Sequence, residues 1–539
     1  MRRLRSTAIC SLCFCLLALG WILVGFPGPS FAVQLSENTE LSGFLRNNTG
    51  IFTGNQDFTE NNDKLATCRN WVRLKLDTTL DPAFSFRLVT QGIYEPKYRI
   101  EEGSTANWNE YDELDVREVF FTWKPTSSNI IRVGRQIVTW GESLAFRVGD
   151  VINPQDARFA FSFANLEDTR IPQWMARGVH HLTGIRSSFE WIVNPPITQD
   201  KYRVDTIFAE PTSAYATTTG WKPGWRFAIY PETRLEYPYS VTPSGYADGV
   251  IVGPSLARSF AYYNPLPFIP GFPAGYYPVD IPSLTYKYPE NNDVRYGFRT
   301  STTMSGYNFG VFFWHTQEYT PLLERSTTTH GTTDLGLAIL GVPGLWVVPN
   351  REYYAIFPDV NILGAYVNKE MPLGVLRGEF TYRPRRSYNT LDPSDEDALV
   401  KRDNIQYLIA WDIQTMCRPL TETGTVDINL EYHGSWVLGD TDYLNVAGYL
   451  TPIRREDHEF LLNLGTSFDY NRYSVGITVI YNTQDHGAVM PSVKFVPDFM
   501  NKAFSFELKY INIFGDSDYE GLGLFRQKDM VVLTSQWSF

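Results

Sequence analysis

The chain has 539 residues, a formal net charge of −12 at pH 7 and 15% aromatic residues. A chain this acidic has no electrostatic footprint for nucleic acid, so we expect no nucleic-acid partner. Beyond residue 32 no run of roughly 18 uninterrupted apolar residues occurs, which argues against membrane-spanning helices there. A closed β-barrel needs no such run, because every second residue of a strand can be polar.

The amino terminus has the layout of an export signal. Arg2, Arg3 and Arg5 precede an apolar stretch from Ala8 to Phe26, and a small-residue site ends at Ala32. The stretch is also long enough for a retained transmembrane anchor, which is the alternative. We predict a signal peptide over 1–32 with cleavage after Ala32, and therefore an exported protein.

Apolar and polar residues alternate with a period of two along most of the remaining chain. Val72, Leu74 and Leu76 share one face of a predicted strand, whereas Arg73 and Lys75 share the other. One apolar face and one polar face fit a barrel wall with lipid outside and water inside. A large soluble β-sandwich or solenoid also alternates and is the alternative.

The connections between the predicted strands alternate in length. Eight short turns alternate with nine longer connections, the longest of which is an external loop at 195–291. This count predicts about 18 antiparallel strands, within a range of about 14–18. We therefore predict an all-β fold, a transmembrane antiparallel β-barrel that occupies residues 33–539 and carries long external loops.

The stretch from Val133 to Gly178 carries four distinctive blocks, GRQ, WGES, VINPQD and IPQWMARG. These blocks resemble the family labelled domain of unknown function 1302, a set of Gram-negative outer-membrane β-barrel proteins. The resemblance implies a place in the outer membrane of a Gram-negative bacterium. Some members are encoded beside transport components, which implies movement of hydrophobic compounds and points to periplasmic transport partners.

The same stretch contains a connection, residues 141–173, that is too long for a tight turn and rich in Phe and charge. We expect it to fold into the lumen, because a wide barrel otherwise encloses an open aqueous space. It either braces the barrel or forms the constriction that sets permeability. The second interpretation assigns these charged residues to the constriction: Arg135, Glu142, Arg147, Asp150, Asp156, Arg158, Glu167, Asp168 and Arg170.

Alternation also assigns charged residues to the wall of the lumen. Basic residues dominate the first two thirds of the chain and acidic residues dominate the rest. In a closed barrel the two arcs would face one another and create a transverse field that orients charged solutes. The predicted wall charges are Arg69, Arg73, Arg87, Arg295 and Arg299 on one arc and Asp412, Asp427 and Glu431 on the other.

The chain ends on a predicted strand, VVLTSQWSF, in which apolar residues alternate up to Trp537 and Phe539. This ending resembles the closing-strand signal of outer-membrane barrels. We therefore predict that Trp537 and Phe539 form a membrane-assembly signal that the barrel-assembly machinery recognises. Outer-membrane lipids and lipopolysaccharide are the other expected partners of the barrel.

Motifs for enzymatic chemistry do not stand out. The seven histidines show no zinc spacing, and neither a nucleophile elbow nor a phosphate loop occurs, so we predict no enzyme, no cofactor and no metal site. Cys68 and Cys417 follow the signal and leave a disulfide open.

The preferred function is a porin-like channel or transporter for small-molecule solutes, with hydrophobic compounds among them. The loop segments 254–289 and 335–349 are rich in proline, aromatic or aliphatic residues, and either gather apolar solutes or act as an external lid. The alternative function is a non-conducting, plugged barrel with a structural or surface-interaction role.

Overall fold

The described part of the chain is almost entirely β-structure. The predicted signal peptide lies outside the described residues up to residue 31, and no side chain between 195 and 293 is described. The computed structural model describes residues 32–53, 65–96, 113–156, 166–194, 294–319, 322–334, 347–390, 392, 395–421, 424–445, 453–484, 486–498, 503–515 and 529–539, with short strands between 225 and 287.

Eighteen of the described strands form one closed antiparallel barrel, in which β18 pairs with β1 and completes the ring. The predicted all-β barrel and its strand number are confirmed. The strands are β1 (Thr39–Phe52), β2 (Leu65–Asp81), β3 (Phe84–Tyr94), β4 (Glu113–Thr126), β5 (Asn129–Gln136), β6 (Gln173–Leu182), β7 (Ser187–Asn194), β8 (Arg295–Met304), β9 (Tyr307–Gln317), β10 (Asp359–Met371), β11 (Gly374–Thr390), β12 (Leu399–Thr415), β13 (Val426–Leu438), β14 (Glu456–Phe468), β15 (Tyr473–Asn482), β16 (His486–Phe495), β17 (Phe504–Phe514) and β18 (Met530–Ser538).

The connections between these strands alternate in length, as predicted. Eight connections of at most ten residues lie at one end of the barrel, which we call the inner end, and nine connections lie at the outer end. Seven of the nine are longer than every inner connection, and the exceptions are 391–398 and 483–485. In the turn between β8 and β9, Ser305 and Gly306 have φ angles of 53° and 75°. Two consecutive positive φ angles are what a two-residue hairpin needs to match the twist of its strands.

The outer face of the barrel is apolar. On β12, Ile409 is 54% exposed and Trp411 is 36% exposed, whereas the alternating residues Leu408 and Ala410 are each 1% exposed. A closed ring of paired strands satisfies all the hydrogen bonds of its backbone, and apolar side chains on the outside suit contact with lipid. Each strand therefore has a lipid face and a lumen face, and the soluble sandwich is excluded. No helix in the described ranges is long and apolar enough to cross a membrane.

The last strand closes the barrel next to the start of the chain. The backbone N–H of Gly43 donates to the carbonyl of Phe539 at 2.8 Å, and the N–H of Phe539 donates to the carbonyl of Gly43 at 3.0 Å. The rings of Trp537 and Phe539 lie 5.0 Å apart. The carboxyl-terminal aromatic pair thus sits at the closing seam, while its recognition by the assembly machinery stays a prediction.

The two cysteines beyond the predicted signal peptide lie at opposite ends of the barrel. Cys68 is buried near the outer end of β2, and Cys417 lies in the inner turn that follows β12. A disulfide requires Cα atoms within about 7 Å. The barrel wall therefore keeps these two residues too far apart to pair.

Candidate functional site

The connection from β5 to β6, residues 137–172, is the candidate functional element, and we call it the lumenal segment. Its described parts are 137–156 and 166–172. Trp140 lies 5.4 Å from Phe312 and 5.9 Å from Trp314, between ring centroids, and both partners face inward from β9. All three rings belong to one buried cluster that also includes Ile152. The segment therefore enters the barrel and packs on its inner wall.

Farther along, the lumenal segment reaches the wall formed by β12, β13 and β14. The ring of Phe146 stacks on His433 with centroids 5.3 Å apart and planes 16° apart. Phe146 also packs in a buried cluster with Leu408, Ala410 and Leu461. The tip of the segment, residues 142–149, is thus held by apolar contacts on this wall.

Glu379 on β11 binds the backbone of the tip. Its Oε1 accepts a hydrogen bond from the N–H of Glu142 at 2.5 Å, and its Oε2 accepts one from the N–H of Gly149 at 2.8 Å. Glu379 is only 6% exposed. Since buried backbone donors need partners, this carboxylate satisfies two groups that the tip could not satisfy alone.

Glu431 on β13 has the same role a few residues along the tip. It accepts hydrogen bonds from the N–H of Leu144 and the hydroxyl of Ser143, each at 2.7 Å, and a longer one from the N–H of Ala145 at 3.3 Å. The alternation predicts Glu431 on the lumen wall, as a charge that faces the lumen. In the structure its carboxylate is buried and committed to the lumenal segment.

Arg377 places a positive charge beside Glu431, where the tip is bound. Its guanidinium lies 2.6 Å from Asp412 and 3.8 Å from Glu431, and it donates to the carbonyl of Glu142. A guanidinium can serve several oxygen acceptors at once because its five donors form a fixed fork. Arg377 therefore offsets the acidic charge where the tip is bound.

Asp168 holds the lumenal segment to the opposite wall. Its two carboxylate oxygens lie 2.9 Å from Arg46 on β1 and 2.7 Å from Arg73 on β2. Burial opposes ionisation of Asp168, but the two guanidinium groups outweigh it and keep the pKa of Asp168 below its ordinary value. The segment thus bridges the lumen, with its tip on β11–β13 and Asp168 on β1–β2.

Three of the predicted constriction charges compensate one another inside the segment. Asp150 lies 2.8 Å from Arg170 and 3.4 Å from Arg147. Arg147 also donates to the carbonyls of Asp150 and Asn153. Asp150 is 6% exposed, so its two ion pairs stabilise the folded segment, and the three residues together keep one net positive charge.

The other predicted constriction residues occupy different places. Arg135 is buried at the end of β5, 2.6 Å from Asp115, and so supports the root of the segment. Glu142 is exposed at the tip, where Asn368 of β10 donates to its carboxylate at 2.6 Å. Arg158 lies outside the described residues, as do the side chains of Asp156 and Glu167.

The predicted wall charges lie on the lumen face of their strands, opposite in phase to the exposed apolar residues. Many have partners: Arg87 lies 2.6 Å from Asp77, Arg299 lies 2.9 Å from Glu190, and Gln414 donates to Asp427 at 2.8 Å. Two further predicted wall residues are Arg69, which lies 3.9 Å from Glu95, and Arg295, which is opposite Asn194 in the pairing of β7 with β8.

Sequence analysis placed Arg73 and Glu431 on the lumen wall but did not predict that they bind the segment. Arg46 and Arg377 were not among the predicted site residues, and neither was Glu379. Their inward phase was readable from the alternation, but no pattern in the sequence indicates which inward charge the segment will contact. The described residues contain no cluster of three or more metal-ligating side chains.

The fold and this site define a class: a closed, 18-stranded antiparallel β-barrel with a segment folded into its lumen. The model of the family "Protein of unknown function (DUF1302)" matches residues 52–448, and the chain belongs to that family. No curated protein matches the chain.

Several solved barrels are similar to the chain at low identity. OccK8 (OprE) of Pseudomonas aeruginosa is 10% identical with a TM-score of 0.44, over 94% of this chain and 99% of that one. OccAB3 of Acinetobacter baumannii is 9% identical with a TM-score of 0.44, over 93% and 99%. OmpF of Salmonella typhi in complex with daunomycin is 8% identical with a TM-score of 0.38, over 94% and 100%.

Proposed function

We propose that this protein is an outer-membrane channel for small, water-soluble molecules, and that the lumenal segment forms its constriction. A barrel of 16–18 strands is wide enough for an aqueous channel, at about the size of the porins. The observation that carries the proposal is the bridge across the lumen: Glu379 on β11 and Arg46 on β1 bind the segment from opposite walls. A segment fixed on both sides narrows the lumen without depending on the external loops.

The exposed edge of the tip presents the carboxylate of Glu142 to the lumen. Glu142 is exposed and Leu144 is 44% exposed, whereas most of their neighbours in the tip are buried or half-buried. A carboxylate in a confined space acts on a passing ion with less screening than one on an open surface. We therefore assign Glu142 as the charge that a solute meets at the constriction.

Hydrophobic compounds form the second solute class, which the family resemblance implies together with periplasmic transport partners. The loop segments that would gather such compounds, 254–289 and 335–349, have no described side chains. A plugged, non-conducting barrel is the alternative function, since anchors on both walls would also hold a plug in place.

Single-channel recording in planar bilayers tests the proposal. We expect a stable open conductance from the purified barrel and none from the same preparation after heat unfolding. Glu142→Gln should then reduce cation preference, seen as a shifted reversal potential in a salt gradient, and the shift should weaken at high salt. Asp440→Asn in the outer loop is the matched control, because it removes one charge outside the lumen. A folded barrel that never conducts would establish the plugged alternative.

A further inference from the structure

A row of arginines lines the lumen near the inner end of the barrel. Arg87 lies three residues from the inner end of β3, and Arg132 lies three residues from the inner end of β5. Arg177 on β6 is directly opposite Arg132 in the strand register. The three side chains share the lumen face of neighbouring strands.

Phe120 connects two of these arginines. The guanidinium carbons of Arg87 and Arg132 lie 5.7 Å and 5.6 Å from the centre of its ring. A cation over an aromatic ring is attracted to the ring face, so Phe120 holds both guanidinium groups near one another. The ring does not neutralise their charge.

Acidic partners are distributed unevenly over this row. Arg87 lies 2.6 Å from Asp77, and Arg177 lies 2.7 Å from Glu190. Arg132 makes no ion pair with any residue that the structure describes, and its buried Nε atom has no hydrogen-bond acceptor there. Glu118 and Glu190 act on Arg132 only from a distance, so Arg132 is the cation of the row without an ion pair among the described residues.

A bound anion would relieve the repulsion between Arg132 and its neighbouring arginines. Like charges directly opposite each other on paired strands are destabilising, and Arg132 faces Arg177 across such a pair. Several positive charges on one wall also raise the local concentration of anions. The guanidinium fork matches an oxyanion with two oxygens, and the arginines nearby that have partners all bind carboxylates.

We propose that Arg132, flanked by Arg87 and Arg177, is a binding site for small carboxylate solutes on the lumen wall. The site lies on the lumen wall, three residues from the inner ends of β3 and β5, so a solute in the lumen can reach it. The proposal rests on the proposed channel function, since a wall site affects transport only where solute passes. The same fork would accept inorganic phosphate, and the experiment separates the two.

Calorimetric titration of the purified barrel in detergent with succinate tests the site. Wild type should bind succinate, and Arg132→Gln should bind it about tenfold more weakly, since a charge-assisted bidentate contact is lost. Lys494→Gln is the matched control, because Lys494 also faces the lumen near the inner end, opposite Glu507 on β16–β17, and its loss removes the same charge. The control should keep the wild-type affinity.

A second readout covers the folding of the variant. Arg132→Gln removes a like charge opposite Arg177, so in anion-free buffer the variant should unfold at or above the wild-type temperature. Succinate should stabilise wild type and the Lys494→Gln control but not Arg132→Gln. A parallel titration with inorganic phosphate decides the ligand: tighter binding of phosphate than of succinate would overturn the carboxylate assignment.

The outcomes for the site and for the channel are distinguishable. Equal succinate binding by all three proteins, or none by wild type, overturns the site even if the barrel conducts. Binding that depends on Arg132 in a barrel that never conducts sustains the site and rejects the channel.

Discussion

The two walls that hold the lumenal segment do so by different chemistry. On β11 and β13, Glu379 and Glu431 accept hydrogen bonds mainly from backbone N–H groups of the tip. On β1 and β2, Arg46 and Arg73 bind one side chain, Asp168. Backbone donors exist whatever the side chains are, so the first wall fixes the path of the tip, whereas the second depends on a single charged residue.

Removal of the Glu431 carboxylate should have the largest effect on this arrangement. Glu431→Gln places an amide where the N–H of Leu144 and the hydroxyl of Ser143 need an acceptor. A buried donor without a partner costs about 1–3 kcal/mol. We expect the tip to leave the wall, with a larger and noisier single-channel conductance.

Asp427→Asn is the control for that experiment. Asp427 lies on the same face of β13, accepts a hydrogen bond from Gln414, and makes no hydrogen bond or ion pair with the tip among the described residues. Its variant loses the same charge and should keep the wild-type conductance. If both variants conduct alike, the carboxylate of Glu431 does not hold the constriction.

The Asp168→Asn variant tests the second wall and should have a smaller effect. The tip stays bound to Glu379 and Glu431, so the conductance should change little. Arg46 and Arg73 lose their carboxylate, however, and the lumen should become more anion-selective, most visibly at low salt. Asp440→Asn in the outer loop after β13 is the control, because it removes one charge outside the lumen. Loss of the constriction in Asp168→Asn would mean that the two walls are equally important.

This contrast also shows what the sequence could predict. Alternation and connection lengths led to the closed barrel, its 18 strands and the lumen face of Glu431 and Asp427. These two residues look alike in sequence, four positions apart on one face of one strand. Only the path of a distant segment across the lumen makes one of them an anchor, and a local pattern holds no information on that path.

The internal charges of the segment were ambiguous for a related reason. The spacing of Arg147 and Asp150 allows them to face water or each other, and nothing in the sequence pattern distinguishes these two arrangements. Burial decides it, because a buried charge needs a close partner. In the structure Asp150 is 6% exposed and pairs with both Arg147 and Arg170. Charged residues in a lumenal segment thus cannot be assigned to the path before the fold is known.

The pH dependence of the second wall should be the smallest effect, and it has a definite sign. Because Arg73 and Arg46 keep the pKa of Asp168 below its ordinary value, the contact is fully formed above that ordinary value, about 3.9. It is lost only as the pH falls through the still lower value of the folded protein. Between about pH 8 and pH 5 Asp168 should therefore stay ionised. Any change of ion selectivity with pH in that range should be the same in wild type and in Asp168→Asn. Reversal potentials measured at several pH values for both proteins check this, and a step above pH 5 that is present only in wild type would contradict the assignment of Asp168 as a permanently ionised anchor.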